Sequence, residues 1–126
     1  MRKQKIHSRY APDAIGPYSQ AIKVDNTVYL SGQIPLDPKT MQLITGDIAA
    51  QAKQVLLNLQ AVCEAAGGSL DAIVKLTIYL VDLNHFAAVN DVMTEFFSEP
   101  FPARATVQVA ALPKAAQVEI EAVMVL

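Results

Sequence analysis

The chain has 126 residues, 10 Lys and Arg against 12 Asp and Glu, and a formal net charge of −2 at pH 7. That length supports one hydrophobic core and therefore one domain over 1–126. No apolar run approaches the roughly 20 residues of a membrane span, and the acidic balance lacks the basic stripe with stacking aromatics that nucleic-acid binding requires.

The first ten residues, MRKQKIHSRY, are basic but lack the apolar stretch of a signal peptide. Arg2, Lys3, Lys5 and Arg9 read as a solvated arm running into a first edge strand. A Pro12-Asp13 turn follows, and Gly16-Pro17 restricts the backbone just before Tyr18, so that a rigid loop can aim a phenol. Asp25-Asn26 predicts a hairpin turn between strands over 21–24 and 27–34. Gly32 interrupts the second of these strands, which marks a bulge or a close approach by a ligand.

After a loop over 35–46, Asp47 is placed to cap a helix over 48–66 that ends at Gly67-Gly68. Ile48, Val55, Leu56, Leu59, Val62, Cys63 and Ala66 form its apolar stripe. Cys63, the single cysteine, reads as a buried structural thiol, precludes an internal disulfide and suits a reducing compartment, by default the cytoplasm. A strand over 73–81 comes next, and Asp82-Leu83-Asn84 opens a second helix to about residue 98. Phe86, Val89, Met93, Phe96 and Phe97 make its predicted core face, with Asn90 on the same side. An amide there needs a partner, either nearby backbone or a group in a cleft.

The last two strands carry the chemistry. Residues 103–109 alternate, placing Arg104, Thr106 and Gln108 on one face; in the final run Val118, Ile120, Ala122, Met124 and Leu126 share a face opposite Glu119 and Glu121. Leu112-Pro113 turns the chain between them. Arg104 is the only guanidinium outside the N-terminal arm, and its planar fork matches a carboxylate in a way lysine does not. The ordinary alternative is a surface charge, or an ion pair with Glu119 or Glu121. His7, His85 and one cysteine give no paired metal-ligand spacing, and neither a zinc-deaminase signature nor a glycine-rich phosphate loop is present. Arg, Glu, Tyr and backbone groups remain, a set suited to a reaction of low intrinsic barrier. The element order predicts an α+β fold in which two helices cover one mixed sheet. A hydrophobic content of 52% is high for a chain of this size, so part of the apolar surface is expected to meet another subunit.

The string PFPARATVQVAALP followed by VEIEAV resembles the C-terminal signature of the Rid family, the reactive intermediate and imine deaminases also called L-PSP or translation-inhibitor proteins. Residues 15–21 (IGPYSQA), 30–35 (LSGQIP) and 82–97 are similar to the same family in the same order, so the likeness spans the chain. One departure is Thr106, where many members carry Cys or another small residue. The resemblance implies a chorismate-mutase-like fold, three subunits packed sheet to sheet, and clefts between neighbours in which Tyr18 and Arg104 come from different chains. It implies hydrolysis of 2-imino acids, 2-iminopropanoate and 2-iminobutanoate, to 2-keto acids and ammonia, with no cofactor. Arg104 would clamp the substrate carboxylate and Glu119 would activate water, while Tyr18, Gly32, Asn90 and Thr106 would line the cleft. Two alternatives stay open: a trimer that binds 2-keto acids without turnover, and an RNA-cleaving translation inhibitor, against which the charge balance speaks.

Overall fold

A computed structural model describes residues 2–126. Six strands, β1 (Gln4–Ile6), β2 (Ala21–Val24), β3 (Thr27–Gln33), β4 (Ile73–Leu80), β5 (Ala103–Gln108) and β6 (Val118–Val125), form one sheet in the order β1-β2-β3-β6-β4-β5. Only β4 and β5 pair in parallel, joined through the helix α2 (Phe86–Phe96); the other helix, α1 (Ile48–Ala65), crosses from β3 to β4. The expected α+β layer of two helices on a mixed sheet is therefore what the chain builds.

Helix α1 forms where capping and periodicity agree. The Asp47 carboxylate accepts the Ala50 N–H at 2.9 Å, one of the donors a helix start leaves free. At the other end Gly67 has φ +94°, a conformation that a Cβ disfavours, and the Gly67 and Gly68 N–H groups donate to the Glu64 and Cys63 carbonyls at 3.0 Å each. Between the caps, Val55, Leu56, Leu59, Val62 and Cys63 are completely buried against the sheet, each large aliphatic contributing about 1.5–3 kcal/mol. Burial and the neighbouring Glu64 push the Cys63 thiol up to about 12, so it stays protonated and inert.

One expectation needed correction. Phe86 was placed on the core face of α2, but it is 39% exposed. The chain enters α2 through a 3₁₀ turn, Leu83–His85, which shifts the phase of the first helical turn; only Val89, Val92 and Met93 are buried on the helix, with Phe97 just beyond it. The consecutive strands β5 and β6, whose register the sequence left open, are not neighbours. β4 lies between them, because β6 buries Val118, Ile120, Ala122 and Met124 and belongs in the sheet interior, whereas β5 has no fully buried residue and suits the edge. The connector over 109–117 is long enough to pass one strand.

Both helices cover the same face of the sheet. The opposite face is open and carries exposed apolar side chains beside its carboxylates, with Tyr29 54%, Val107 42% and Val125 44% exposed. No helix is long and apolar enough to cross a membrane among the described residues.

Candidate active site

The sheet divides the predicted site residues between two clefts. Register sets Arg104 beside Leu76 and Ala122, and sets Glu119 beside Tyr79 and Val107. Two strands and three residues apart, the two Cα atoms are separated by roughly 14 Å. Their side chains also leave opposite faces: Arg104 shares the helix side with buried Leu76, while Glu119 shares the open side with Tyr79. An ion pair between Arg104 and Glu119 or Glu121 within one chain is thereby excluded. The ion pair found among the described residues is Lys53 to Glu95, at 3.5 Å on the surface.

On the helix side, Arg104 projects from the edge strand toward α2. Its Nη1 donates to Asn90 Oδ1 at 2.6 Å, and its guanidinium carbon lies 5.3 Å from the centre of the Phe86 ring. Asn90 thus finds its partner in a side chain rather than in nearby backbone. The exposed ring of Phe86 acquires a purpose that core packing would not have given it, since it supports one face of the fork. Asn90, Met93, Thr94, Phe101, Pro102 and Arg104 line a cleft of about 440 Å³. One residue pair along β5 from Arg104, the Thr106 hydroxyl is buried and has no hydrogen-bond partner among the described residues.

The second cleft, about 490 Å³, opens on the other side of the sheet and includes Tyr18, Gln20, Ser31, Gly32, Lys114 and Glu119. Gly32 lies where the β3 to β6 register shifts, between the Leu30 and Gln33 pairings, so the bulge read from the sequence is present. A Cβ on Gly32 would collide with the Glu119 carboxylate, with the carboxyl carbon only 2.9 Å away. Glycine therefore lets the carboxylate lie against backbone. Partial burial in this position, reinforced by the charge of Glu121, raises the Glu119 pKa above the usual carboxylate range.

Tyr18 leans over the same cleft and stays 53% exposed. Its phenol oxygen accepts the Ile15 N–H at 3.3 Å, leaving the hydroxyl hydrogen to donate elsewhere. Sequence reasoning missed the residue that holds this loop. Gln20 is buried, receives the Ser8 N–H at 2.6 Å, and donates to the Ser8, Ala11 and Pro12 carbonyls at 3.1, 3.5 and 2.7 Å. It also missed Asn58, an amide inside the α1 stripe that donates to the Ile34 and Leu36 carbonyls at 3.3 and 3.0 Å and so fixes the far wall of the cleft. Lys114, at the rim, holds φ +57° and Ala115 φ +58°, two successive left-handed residues without glycine. A polar residue on an apolar helical stripe was the available signal for Asn58; nothing in the sequence marked Lys114.

Comparison with known proteins places the chain in a family. The family model described as Endoribonuclease L-PSP matches residues 8–126. The chain belongs to the Rid family. A 2-iminobutanoate/2-iminopropanoate deaminase from Dermatophagoides farinae is 52% identical over 124 residues, covering 98% of this chain and 97% of the relative. The crystal structure of RidA from the Antarctic bacterium Psychrobacter sp. PAMC 21119 superposes with a TM-score of 0.94 at 55% identity, covering 98% of this chain and 99% of that one. The crystal structure of E. coli TdcF with bound serine gives a TM-score of 0.92 at 43% identity, covering 98% of each chain. The family fold accounts for the observed sheet order, and relatives in the family carry more than one name, so the activity is argued from the site.

Proposed function

We propose that this protein hydrolyses 2-imino acids, 2-iminopropanoate and 2-iminobutanoate, to 2-keto acids and ammonia, without a cofactor, in the cytoplasm. The observation that carries the reading is the separation of one guanidinium and one partly buried carboxylate onto opposite faces of the sheet, each at the wall of its own cleft. Either half alone lacks what the reaction needs. A homotrimer packed through the open sheet faces would set the Arg104 cleft of one subunit against the Glu119 cleft of the next. Names of close relatives support the substrate class, and the exposed Tyr29, Val107 and Val125 supply apolar area for the assembly.

Within that composite cleft, Arg104, braced by Asn90 and Phe86, holds the substrate carboxylate in its planar fork and sets C2 in place. Glu119 accepts a proton from water as the water oxygen bonds to C2, and passes it to the imine nitrogen, which becomes an amine. Glu119 then takes the hydroxyl proton of this carbinolamine and delivers it to the same nitrogen as the C2–N bond breaks and the C2–O double bond forms, and ammonia leaves the 2-keto acid. The raised pKa makes Glu119 a better base toward water than an ordinary carboxylate. Tyr18, Gly32 and Thr106 shape the remaining walls.

The reading is tested by adding the protein to imine generated in situ by a threonine dehydratase. Ammonia release should accelerate, and light scattering should give a trimer mass, with about 1,200–2,000 Å² buried per subunit pair. Unchanged ammonia release would instead support the ligand-binding trimer without turnover.

Thr106 offers a separate check. Its buried hydroxyl costs about 1–3 kcal/mol while it lacks a partner. Thr106→Val should therefore raise the melting temperature of the free protein and weaken 2-keto-acid binding by about tenfold, the value of one lost hydrogen bond. A variant that binds the keto acid as well as the parent would remove Thr106 from the site.

A further inference from the structure

Glu121 and Tyr79 lie outside the chemistry assigned above, yet among the described residues they form the one hydrogen bond between side chains of different strands on the open face. The Tyr79 hydroxyl donates to Glu121 Oε1 at 2.9 Å. Tyr79 is directly opposite Glu119 in the β4 to β6 register, while Glu121 is opposite Thr77. The phenol therefore reaches diagonally past Glu119 to grip the next carboxylate on the same face. Glu119 and Glu121, two residues apart on one strand, lie about 7 Å from each other. We infer that Tyr79 and Glu121 are positioning residues for the catalytic carboxylate: the phenol struts Glu121 in place so that its fixed negative charge keeps a proton available on Glu119.

The inference rests on Glu119 being the base. Glu121 has no countercharge in an ion pair among the described residues, and its hydrogen-bond partner is a neutral phenol. Its charge is thus left to act on its neighbour. The other ionisable groups facing Glu119 come from different elements. Asp13 and Tyr18 belong to the loop before β2, and Lys114 belongs to the connector before β6; all three line the cleft with it. Tyr79 faces it from β4. Lys114 favours the charged form of Glu119, and Asp13 and Glu121 favour the protonated form. Glu121 alone among these is held by a hydrogen bond to a side chain beside Glu119, so its distance is set rather than averaged over a mobile arm. The direction of the Glu119 shift, with burial first and the Glu121 charge second, agrees with this geometry. Tyr79 responds in kind: the bond to Glu121 raises its own pKa, so the strut stays a donor through the neutral range.

The function of the pair would be to balance two demands on one group. A carboxylate ionised too readily is a weak base toward the water proton; one placed beside a fixed like charge accepts that proton better and can still give it up, a compromise between the two roles. Carboxylate pairs in which one charge keeps the proton on the other show the same effect in general acid chemistry.

The pH profile of imine hydrolysis tests the proposal in the intact protein. Glu121→Gln keeps the size of the side chain and an oxygen to accept from Tyr79, but removes the charge. At a fixed pH on the acid limb, its kcat/KM relative to its own plateau should rise by about threefold, because Glu119 now ionises at lower pH. Tyr79→Phe keeps both carboxylates and removes only the strut, so it should shift the limb in the same direction by less. If both variants keep the parent acid limb and merely lose plateau rate, the pair is structural and the inference fails. Glu119→Gln separates this from the underlying assignment. Loss of the acid limb in Glu119→Gln with no movement in the other two overturns the role of the pair alone, whereas an acid limb that survives in Glu119→Gln overturns the assignment of the base.

Discussion

Glu119→Gln is expected to lower kcat for imine hydrolysis by about 10² to 10⁴, the usual value of general acid and base assistance, equal to about 3–5 kcal/mol of barrier. Glutamine matches the size of the carboxylate and can still lie against Gly32, but it cannot accept the water proton. Binding of a 2-keto acid should be nearly unchanged, so the loss falls on kcat rather than on KM. Stability should move the other way. Burial and Glu121 raise the folded-state pKa of Glu119 above its unfolded value, so the fold binds that proton more tightly than the unfolded chain does. Its contribution is therefore most favourable below the unfolded pKa and is lost as pH rises through the folded one. At neutral pH the ionised carboxylate opposes folding, and Glu119→Gln should melt at an equal or higher temperature. Thermal denaturation and single-turnover kinetics on the same variant make the check. Turnover at the parental rate would remove Glu119 from the mechanism, and a marked fall in melting temperature would mean that the carboxylate is held by favourable contacts.

Arg104 should show its effect in both capture and positioning. Arg104→Lys keeps the charge but loses the planar fork, the contact with Asn90 Oδ1 at its present geometry, and the stacking over Phe86. A loss of about 10²-fold or more in kcat/KM is expected, since misplacement by an ångström alone is worth that much. Subunit mixing then asks where the two charges meet. If each cleft takes Arg104 from one subunit and Glu119 from the next, Arg104→Lys and Glu119→Gln proteins are each nearly inactive, yet their mixed trimers contain one cleft with both native residues. Activity should return when the two are unfolded together and refolded, and not when they are simply combined without exchange. A refolded mixture as inactive as its components would place both groups in the same subunit's cleft and require a conformational change to bring them together.

The elements that local chemistry controls were legible in the residues. Asp47 at the start and Gly67-Gly68 at the end bounded α1 because a helix terminus leaves backbone groups that particular side chains and conformations satisfy. Asp25-Asn26 set the β2 to β3 hairpin, with Asp25 at φ +53°, and Gly32 announced its bulge. The alternation in β6 assigned Val118, Ile120, Ala122 and Met124 to the core. By resemblance, the four motifs also named Tyr18, Gly32, Asn90, Arg104, Thr106 and Glu119 as candidates for one site. Their distribution between two clefts was not visible. Period-two patterning tells which residues of a strand share a face, but not which strand lies beside it or which face meets the helices. The polar side of β5 turned out to face the helix layer, because an edge strand beyond the reach of α1 can leave Arg104 and Thr106 partly wet there. Its alanines and Val107 lie on the open side. Only the tertiary structure could insert β4 between β5 and β6, because strand order follows from how much of each strand must be buried, a property of the whole core. The same assembly of distant segments brought Tyr79 past Glu119 to Glu121, across a sequence separation of 42 residues that no local pattern spans.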